Sequence, residues 1–407
     1  MKVTIYPSKL KGNIPARASK SQAHRLLICG ALFGNPCTIF CDSISEDISA
    51  TVDCLNSLGA DIKYDGEKFL VNPIKSPKKE TVLNCRESGS TLRFMIPIVA
   101  TLGTNSTFKM SGRLPKRPLS PLDKLLEENG VSLSRPSADT LKVCGKLEGG
   151  DFLLDGGVSS QFASGLLFSL PLFDKNSTLK LTGNIQSVNY INMTVEAIGK
   201  FGFKVEQKDN KYSVSGRTNN LDNEFFVEGD WSNGAFWVCA QKLSGGIAYS
   251  NLDINSQQGD KEILEISSHL TSDGLGAIVI DASNIPDLVP IICVTASSTQ
   301  GAVTTIKNAS RLKLKESDRI KSTAQMINSL GGKAIETDDG LIITGTGRLL
   351  GGKVDSFNDH RIAMSAAIAS LICDGPVEIS GAQAVNKSYP DFWKDFQSLG
   401  GKIEIEN

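Results

Sequence analysis

Residues Ile327-Asn-Ser-Leu-Gly-Gly-Lys-Ala-Ile335 indicate the fold, because their pattern returns at intervals along the chain. Apolar residues recur at helical spacing up to Leu330, a glycine follows, and a short strand-like alternation comes next. The glycine is expected to end the helix, since the backbone turns to positive φ there. The equivalent glycines lie about 70 residues apart, except for one interval about twice as long: Gly59, Gly130, Gly202, Gly331 and Gly400.

The double interval predicts a sixth, degenerate copy of the repeat near residues 272–274. Each copy is typical of a helix followed by a strand hairpin, and such a unit buries its apolar face only against its neighbours. Because 407 residues exceed the size at which one core keeps growing, we expect two domains of three repeats. The polar, turn-rich residues 214–223 predict one crossing between the domains, and residues 11–14 offer a second.

The charge balance excludes whole classes of partner. The chain has 43 Lys and Arg against 44 Asp and Glu, a formal net charge of -1, so neither nucleic acid nor an anionic membrane is an expected partner. Its nine cysteines form no CxxC pair and lie mostly in apolar runs, a pattern typical of buried thiols in a reducing compartment. Without a signal-peptide core or a membrane-length apolar run, the sequence predicts a cytoplasmic protein.

Cationic side chains indicate the kind of ligand. Each lies in a short segment beside hydroxyl, glycine or carboxylate residues, although the chain as a whole is not basic. We therefore expect small, multiply anionic ligands at one converging site. The cations concerned are Lys20, Arg25, Arg93, Arg117, Lys315, Arg319, Arg361 and Lys387.

Three hydroxyl-rich segments precede predicted helices, namely residues 18–25, 87–93 and 158–162. Free backbone N–H groups and fixed positive charge act together at a helix N-terminus, which favours anions. Ordinary capping explains each segment by itself equally well, with Ser19 or Ser21 as the cap of the first helix. The proline-rich loop of residues 111–121 is either a lid or an ordinary surface loop.

Two carboxylates are candidates for proton transfer. Asp287 heads an apolar segment, where it is either a helix N-cap or a buried general base. Glu316 lies among cations, either as part of a charged helix start or as a proton-transfer group. The three histidines lack metal-ligand spacing, so no catalytic metal is expected. Neither a GxxxxGK[ST] loop nor a GxGxxG motif occurs, so nucleotide and dinucleotide binding have no support.

Taken in chain order, the motifs resemble the signature series of the 5-enolpyruvylshikimate-3-phosphate synthases, enolpyruvyl transferases of the shikimate pathway. The resemblance runs from Lys20 to Lys387. Its motifs are Lys20-Ser with Arg25, Ser88-Gly-Ser-Thr-Leu-Arg93, Lys116-Arg-Pro118, Ser159-Ser-Gln161, Ser187 with Tyr190, Ile285-Pro-Asp287, Lys315-Glu-Ser-Asp-Arg319, Asn358-Asp-His-Arg361, and Lys387 with Pro390-Asp391.

The resemblance implies an α/β fold of two similar domains, each built from three βαβαββ units as an inside-out α/β barrel, with the active site in the interdomain cleft. The N-terminal domain would be residues 14–222, and the C-terminal domain residues 1–13 plus 223–407. It also implies a monomer that needs no cofactor, acts on shikimate 3-phosphate and phosphoenolpyruvate, and is a target of glyphosate.

The resemblance also implies the role of each site residue. Asp287, Glu316 and Lys20 would be catalytic. The residues implied for shikimate 3-phosphate are Lys20, Ser21, Arg25, Ser159, Ser160, Gln161, Ser187, Tyr190, Asp287 and Lys315. The residues implied for phosphoenolpyruvate are Lys20, Gly89, Arg93, Arg117, Gln161, Arg319, His360, Arg361 and Lys387.

Two departures from the family pattern and two rival functions bear on these roles. Glu87-Ser-Gly-Ser90 stands where Asn-Ala-Gly-Thr is common, and Arg311 stands where the family often has Asn. The first rival is the related transferase that acts on UDP-N-acetylglucosamine, but the cysteine typical of its loop is missing from residues 111–121. The second rival is a non-catalytic repeat protein that binds RNA ends, and the near-neutral charge argues against it.

Overall fold

The structure is a computed structural model that describes residues 1–218, 222–271 and 276–406. The chain divides into two compact units. Unit 1 comprises Met1–Arg17 and Glu228–Asn407, and unit 2 comprises Ala18–Val227. The domain boundaries expected from the sequence stay a prediction, and the sixth repeat copy expected near residues 272–274 lies outside the described residues.

The described residues form helices and strands that alternate along most of the chain. The helices are α1 (Lys20–Phe33), α2 (Glu46–Leu58), α3 (Gly89–Leu102), α4 (Leu122–Glu128), α5 (Ser160–Ser169), α6 (Val188–Lys200), α7 (Trp231–Ser244), α8 (Ile263–Leu270), α9 (Val289–Ser297), α10 (Arg319–Ser329), α11 (His360–Ala369) and α12 (Phe392–Ser398). The strands of unit 2 are β3 (Cys37–Phe40), β4 (Asp61–Tyr64), β5 (Lys68–Asn72), β6 (Glu80–Arg86), β7 (Asn105–Met110), β8 (Ser132–Ser137), β9 (Thr140–Cys144), β10 (Asp151–Asp155), β11 (Thr178–Thr182), β12 (Phe203–Lys208), β13 (Lys211–Arg217) and β14 (Glu224–Phe226). The strands of unit 1 are β1 (Lys2–Tyr6), β2 (Gly12–Pro15), β15 (Ile247–Ser250), β16 (Ala277–Asp281), β17 (Val303–Lys307), β18 (Lys333–Thr337), β19 (Gly340–Thr344), β20 (Gly352–Asp355), β21 (Val377–Ser380) and β22 (Lys402–Glu406).

The same sheet recurs five times in the described residues. Its four strands make one parallel pair followed by two antiparallel pairs, as in the order β6-β7-β9-β8. Unit 2 contains three such sheets, with β14-β3-β5-β4 and β10-β11-β13-β12 as the other two. Unit 1 contains β16-β17-β19-β18, β20-β21-β1-β22 and the parallel pair β15-β2. The predicted α/β fold of repeated βαβ-type units is thereby confirmed, and none of the described sheets closes into a barrel.

The five repeat glycines take the backbone conformation that was predicted for them. Their φ angles lie between 83° for Gly331 and 118° for Gly59. A side chain at such a φ would be strained, so glycine ends the second helix of the repeat and turns the chain into the strand that follows. In the described part of the chain this holds before β4, β8, β12, β18 and β22.

The first helix of each repeat forms the core of its unit. In unit 2, α3 is buried from Gly89 to Thr101 except at Ser90, and in unit 1 every residue of α9 is buried. Helices that are apolar on all sides belong in a core. In α1, α3 and α11 most polar and charged residues lie near the helix start, which places the chemistry-bearing side chains at these N-termini. In α9 the polar residues Thr295 and Ser297 lie in the last turn instead. In the described parts of the chain no helix is both long and apolar enough to cross a membrane.

Candidate active site

Serines cap the three core helices of unit 2. Ser19 accepts from the Gln22 N–H at 3.4 Å, Ser88 from the Thr91 N–H at 3.3 Å, and Ser159 from the Gln161 N–H at 3.3 Å. A helix is confirmed at each of the three segments, but α1 and α3 begin within the segments, at Lys20 and Gly89, and not after them. Ser19 is therefore the cap of α1, and Ser21 lies inside its first turn. A single cap uses only part of the donor set at a helix N-terminus, which suits these ends to anions.

Arg25 forms hydrogen bonds with two predicted site residues, Ser21 and Tyr190, and with Thr194. Its Nε donates to Thr194 Oγ1 at 2.8 Å, its Nη1 to the Ser21 carbonyl at 2.6 Å, and its Nη2 to the Tyr190 carbonyl at 2.8 Å. Burial lowers the pKa of Arg25 to about 10, so the guanidinium stays charged at neutral pH. The contacts fix a buried positive charge between α1 and α6.

Gln161 is held by two side chains of α3. Arg93 Nη1 donates to Gln161 Oε1 at 2.8 Å, and Gln161 Nε2 donates to Ser90 Oγ at 2.9 Å. Arg93 Nη2 also donates to the Pro118 carbonyl at 3.2 Å. The Gln161 amide therefore has one fixed orientation, and the loop of residues 111–121 is tied to α3.

Gly89 allows Arg117 to approach the start of α3. A Cβ atom built on Gly89 would lie 2.5 Å from Arg117 Nη1, so any other residue at this position would require the end of Arg117 to move. Arg117 is itself buried. Because Gly89 has no side chain, the guanidinium of Arg117 can lie against the backbone next to Ser88, the cap of α3.

Lys20 and Ser187 complete the predicted set in unit 2. Lys20 Nζ lies 3.0 Å from Asp47 Oδ2, with both side chains mostly buried. Ser187 precedes α6 with φ 52° and ψ 48°, a left-handed conformation that a non-glycine residue holds only where its surroundings require it. Ser160 lies buried in the first turn of α5.

In unit 1, Asp287 faces three cations. Its Oδ1 lies 2.7 Å from Arg319 Nη1 and 3.5 Å from Lys315 Nζ, and its Oδ2 lies 3.8 Å from Arg361 Nη2. Leu288, not Asp287, occupies the N-cap position of α9, and Leu288 makes no side-chain cap hydrogen bond. The N-cap alternative for Asp287 is therefore wrong, while a role in proton transfer agrees with its 20% side-chain exposure.

Arg319 is the fully buried hub of this cluster. Its Nε donates to Asp359 Oδ2 at 2.8 Å, and its Nη2 donates to Glu316 Oε2 at 2.8 Å and to Asp359 Oδ1 at 3.2 Å. Burial acts to lower the pKa of Arg319, but Asp359, Glu316 and Asp287 outweigh it and raise the pKa well above its usual value. Four of the five N–H donors of a guanidinium are thus directed at protein carboxylates.

Lys315 and Asp260 have shifted protonation equilibria. Burial lowers the pKa of Lys315 to about 8, although Asp287 acts in the opposite direction. Asp260 is fully buried against the Ser232 hydroxyl. Its burial, followed by the nearby charge of Asp287, raises the pKa of Asp260. Strong shifts that arise from burial and specific charge partners are typical of functional sites.

The predicted motif of residues 358–361 forms the head of α11. Asp359 caps the helix by accepting from the Arg361 N–H at 2.9 Å, and the buried Arg361 donates through Nη1 to the Ser232 carbonyl at 2.6 Å. His360 is also buried, and Lys387 Nζ donates to the Asn358 carbonyl at 2.6 Å. In the described ranges, no group of three or more His, Cys, Asp or Glu side chains could hold a metal ion.

The family is decided by comparison with known sequences. The sequence profile of EPSP synthase (3-phosphoshikimate 1-carboxyvinyltransferase) matches residues 5–396. The chain belongs to the EPSP synthase family. The family recognised from the order of the motifs is therefore confirmed.

Individual members of the EPSP synthase family are similar over their full length. The 3-phosphoshikimate 1-carboxyvinyltransferase of Clostridium acetobutylicum is 42% identical over 419 residues, which cover 98% of each chain. The enzyme of the same name from Clostridium perfringens is 40% identical over 423 residues and 100% of each chain. Two solved structures of EPSP synthase from Acinetobacter baumannii, 23% and 22% identical, cover 100% of both chains with a TM-score of 0.82, and they show the shared fold.

Three carboxylates of this EPSP synthase family member were missed as site residues by the sequence analysis. Asp47 pairs with Lys20, Asp359 pairs with Arg319, and Asp260 is buried beside Ser232. Asp359 lay within a motif that had been recognised, so its place as N-cap could have been inferred. Asp47 and Asp260 carry no comparable signal, because an acidic residue early in a helix is ordinarily a favourable partner of the helix dipole.

Proposed function

We propose that this chain transfers the enolpyruvyl group of phosphoenolpyruvate to the 5-hydroxyl of shikimate 3-phosphate and releases phosphate. The name of its relatives, 3-phosphoshikimate 1-carboxyvinyltransferase, supports the acceptor and the transferred group. The observation that carries the proposal is the cluster in which Asp287 faces Arg319, Lys315 and Arg361. The two substrates bring two phosphates and two carboxylates, which repel one another strongly at short range. A site for both must therefore be rich in fixed cations.

Shikimate 3-phosphate is assigned to hydroxyl and cationic groups with fixed positions. Arg25 is held by three neighbouring groups, and with Ser21 it would take the shikimate carboxylate. The N-terminal turn of α5 supplies hydroxyl and backbone donors for the 3-phosphate. The full set proposed for this substrate is Lys20, Ser21, Arg25, Ser159, Ser160, Gln161, Ser187, Tyr190, Asp287 and Lys315.

Phosphoenolpyruvate is assigned to the remaining cations. The planar guanidinium of Arg361 suits a carboxylate, since two parallel hydrogen bonds fit its fork. Arg319 shares most of its donors with Asp359, Glu316 and Asp287, so a ligand carboxylate would enter an existing network there. The full set proposed for this substrate is Lys20, Gly89, Arg93, Arg117, Gln161, Arg319, His360, Arg361 and Lys387.

The reaction requires proton transfer at two places and no metal or redox step. The methylene carbon of phosphoenolpyruvate gains a proton, and the 5-hydroxyl oxygen attacks the adjacent carbon as its own proton leaves. The resulting tetrahedral intermediate loses phosphate, and a proton leaves the methyl group to restore the double bond. We assign Asp287 to the hydroxyl proton, and Glu316 with Lys20 to the protons at carbon.

The proposal also covers the cellular compartment, the class of ligand and the oligomeric state of the chain. All nine cysteines are free, and eight of them are buried, which supports a reducing compartment such as the cytoplasm. The near-zero net charge supports small-molecule substrates rather than nucleic acid. We expect the enzyme to act as a monomer.

Release of phosphate from the purified protein tests this function. With both substrates present, phosphate should appear at a rate proportional to protein, and omission of either substrate should abolish it. Asp287→Asn is the matched control for a contaminating phosphatase, since it should remove the activity without removing the protein. Turnover with UDP-N-acetylglucosamine in place of shikimate 3-phosphate would favour the rival transferase, and no turnover with either acceptor would overturn the proposal.

A further inference from the structure

A buried hydrogen-bond chain joins three helices of unit 2. His24 Nδ1 on α1 lies 2.8 Å from Thr51 Oγ1 on α2, and Thr51 Oγ1 lies 2.7 Å from Thr91 Oγ1 on α3. Thr91 Oγ1 in turn lies 2.8 Å from Ser88 Oγ, the cap of α3. All four side chains are at most 1% exposed. The chain therefore runs from the interior of α1 to the start of α3 without meeting solvent.

The hydroxyl groups give this chain a direction. Each threonine has a single hydroxyl hydrogen, and that of Thr91 has two acceptors other than Thr51: Ser88 Oγ at 2.8 Å and the Asp47 carbonyl at 3.4 Å. Thr51 must then donate to Thr91, and the Nδ1–H group of His24 must donate to Thr51. The opposite direction would place a hydrogen on Nε2 of His24, which is buried and has no hydrogen-bond partner among the described residues. In proteins, a buried N–H group without an acceptor is rarer than a buried acceptor without a donor, so the hydrogen is assigned to Nδ1.

His24 stays neutral in this arrangement. Burial, followed by the positive charges of Lys20 and Arg25, lowers the pKa of His24 well below its usual value. The ring therefore acts as a fixed donor and does not exchange protons with a substrate near neutral pH. Its edge-on contact with Phe94, at 6.4 Å between ring centroids, also restricts how it can turn.

The hydrogen-bond chain lies beside Lys20, Gly89 and Arg117, which belong to the set proposed for phosphoenolpyruvate and which the family resemblance implies around its phosphate. Lys20 pairs with Asp47 at 3.0 Å, so α1 and α2 are joined by two polar contacts, Lys20 with Asp47 and His24 with Thr51, four residues apart on each helix. At its other end Ser88 directly precedes Gly89, against which Arg117 lies. Apolar packing has no direction, whereas hydrogen bonds do, so these polar contacts set the register of the helices.

We propose that His24 and Thr51 are positioning residues for phosphoenolpyruvate, which fix Lys20 relative to Gly89 and Arg117 through the hydrogen-bond chain to Ser88. Neither residue touches substrate in this proposal. The inference rests on the proposed function, because it takes Lys20, Gly89 and Arg117 as the groups around the donor phosphate. It adds two residues that the assigned binding set does not contain.

Matched pairs of variants test the proposal. Thr51→Val removes the hydroxyl and leaves His24 and Thr91 without their shared partner, whereas Thr51→Ser keeps it. Thr51→Val should raise the KM for phosphoenolpyruvate about tenfold, the order expected for one lost buried hydrogen bond. The KM for shikimate 3-phosphate and kcat should stay within about twofold, and Thr51→Ser should restore the wild-type KM.

A second pair covers the case in which Thr51→Val fails to fold, as thermal unfolding would reveal. His24→Asn keeps an N–H donor close to the position of Nδ1, and His24→Leu removes it. The first should retain the wild-type KM for phosphoenolpyruvate, and the second should raise it about tenfold. Equal changes in both KM values, or no change in any variant that removes a donor or hydroxyl, would overturn the inference.

Calorimetry separates this inference from the proposed function. Each protein is titrated with inorganic phosphate in the presence of shikimate 3-phosphate, a mixture that does not turn over. Thr51→Val should bind phosphate about tenfold more weakly than wild type, and Thr51→Ser should bind it equally. An inactive wild type that still shows this difference would refute the proposed function alone, and equal affinities in all three proteins would refute the positioning role alone.

Discussion

Replacement of Asp287 by asparagine tests the central cluster of unit 1. The substitution keeps the shape of the side chain and removes one negative charge from a position 2.7 Å from Arg319, 3.5 Å from Lys315 and 3.8 Å from Arg361. Arg319 keeps its contacts with Asp359 and Glu316. We therefore expect a folded protein that has lost its proposed base.

Two separate changes should follow in the kinetics. Loss of a positioned base lowers kcat by at least about a hundredfold, which corresponds to about 2.7 kcal/mol of activation free energy. Asp287 also acts against the burial that lowers the pKa of Lys315 to about 8. A pair of charges 4 Å apart near a protein surface is worth about 4 kcal/mol, and a loss of one third of that is one pH unit. The pH above which kcat/KM for shikimate 3-phosphate declines should therefore be lower in Asp287→Asn than in wild type, by about one pH unit or more.

The assay measures phosphate release between pH 6 and pH 9 for wild type and Asp287→Asn, with shikimate 3-phosphate affinity measured separately by calorimetry at the acidic end. Lys315 is still charged there, so binding should be close to that of wild type. A folded variant with near-normal kcat would remove Asp287 from the mechanism. An unmoved alkaline limb would show that Asp287 and Lys315 are not coupled in solution.

Three further substitutions probe the other assigned groups. Arg361→Lys should raise the KM for phosphoenolpyruvate at least about tenfold more than that for shikimate 3-phosphate, because lysine lacks the planar fork; equal effects in steady-state assays would contradict the assignment. Wild-type kcat/KM for shikimate 3-phosphate should fall about tenfold per pH unit above about 8, as Lys315 loses its proton, and Lys315→Arg should abolish that limb; a limb that persists belongs to another group. Gly89→Ala places a Cβ atom 2.5 Å from Arg117 Nη1 and should raise the KM for phosphoenolpyruvate about tenfold or more with little change in the melting temperature, because the displaced group is the end of a flexible side chain; an unchanged KM would separate Arg117 from the donor phosphate.

Much of the fold was predictable because it depends on local and periodic features. Gly59 and Gly331 mark helix ends in any context that requires positive φ, and their recurrence predicted repeated units before any contact was known. The hydroxyl-rich segment of residues 87–93 was likewise expected to precede a helix, and Ser88 within it caps α3. Backbone geometry and capping act over a few residues, so the sequence displays them directly.

Contacts between residues far apart in the sequence were harder to predict. The Lys20–Asp47 pair and the burial of Asp260 beside Ser232 depend on how helices pack, and no short motif encodes that packing. Asp287 illustrates the same limit, because the sequence left it as either N-cap or base. The cap alternative is wrong, and the three cations around Asp287 come from α10, α11 and the segment before α10. The His24–Thr51 contact was hidden for the same reason.

Phosphorus nuclear magnetic resonance of one reaction mixture tests the proposed function most directly. Purified protein, shikimate 3-phosphate and phosphoenolpyruvate are combined, and every phosphorus signal is followed with time. The proposal predicts that the phosphoenolpyruvate signal falls as inorganic phosphate rises in equal amount, while the shikimate 3-phosphate signal is replaced by that of its 5-enolpyruvyl ether. Release of phosphate while the shikimate 3-phosphate signal stays unchanged, or two unchanging substrate signals in the presence of folded protein, would contradict the proposal.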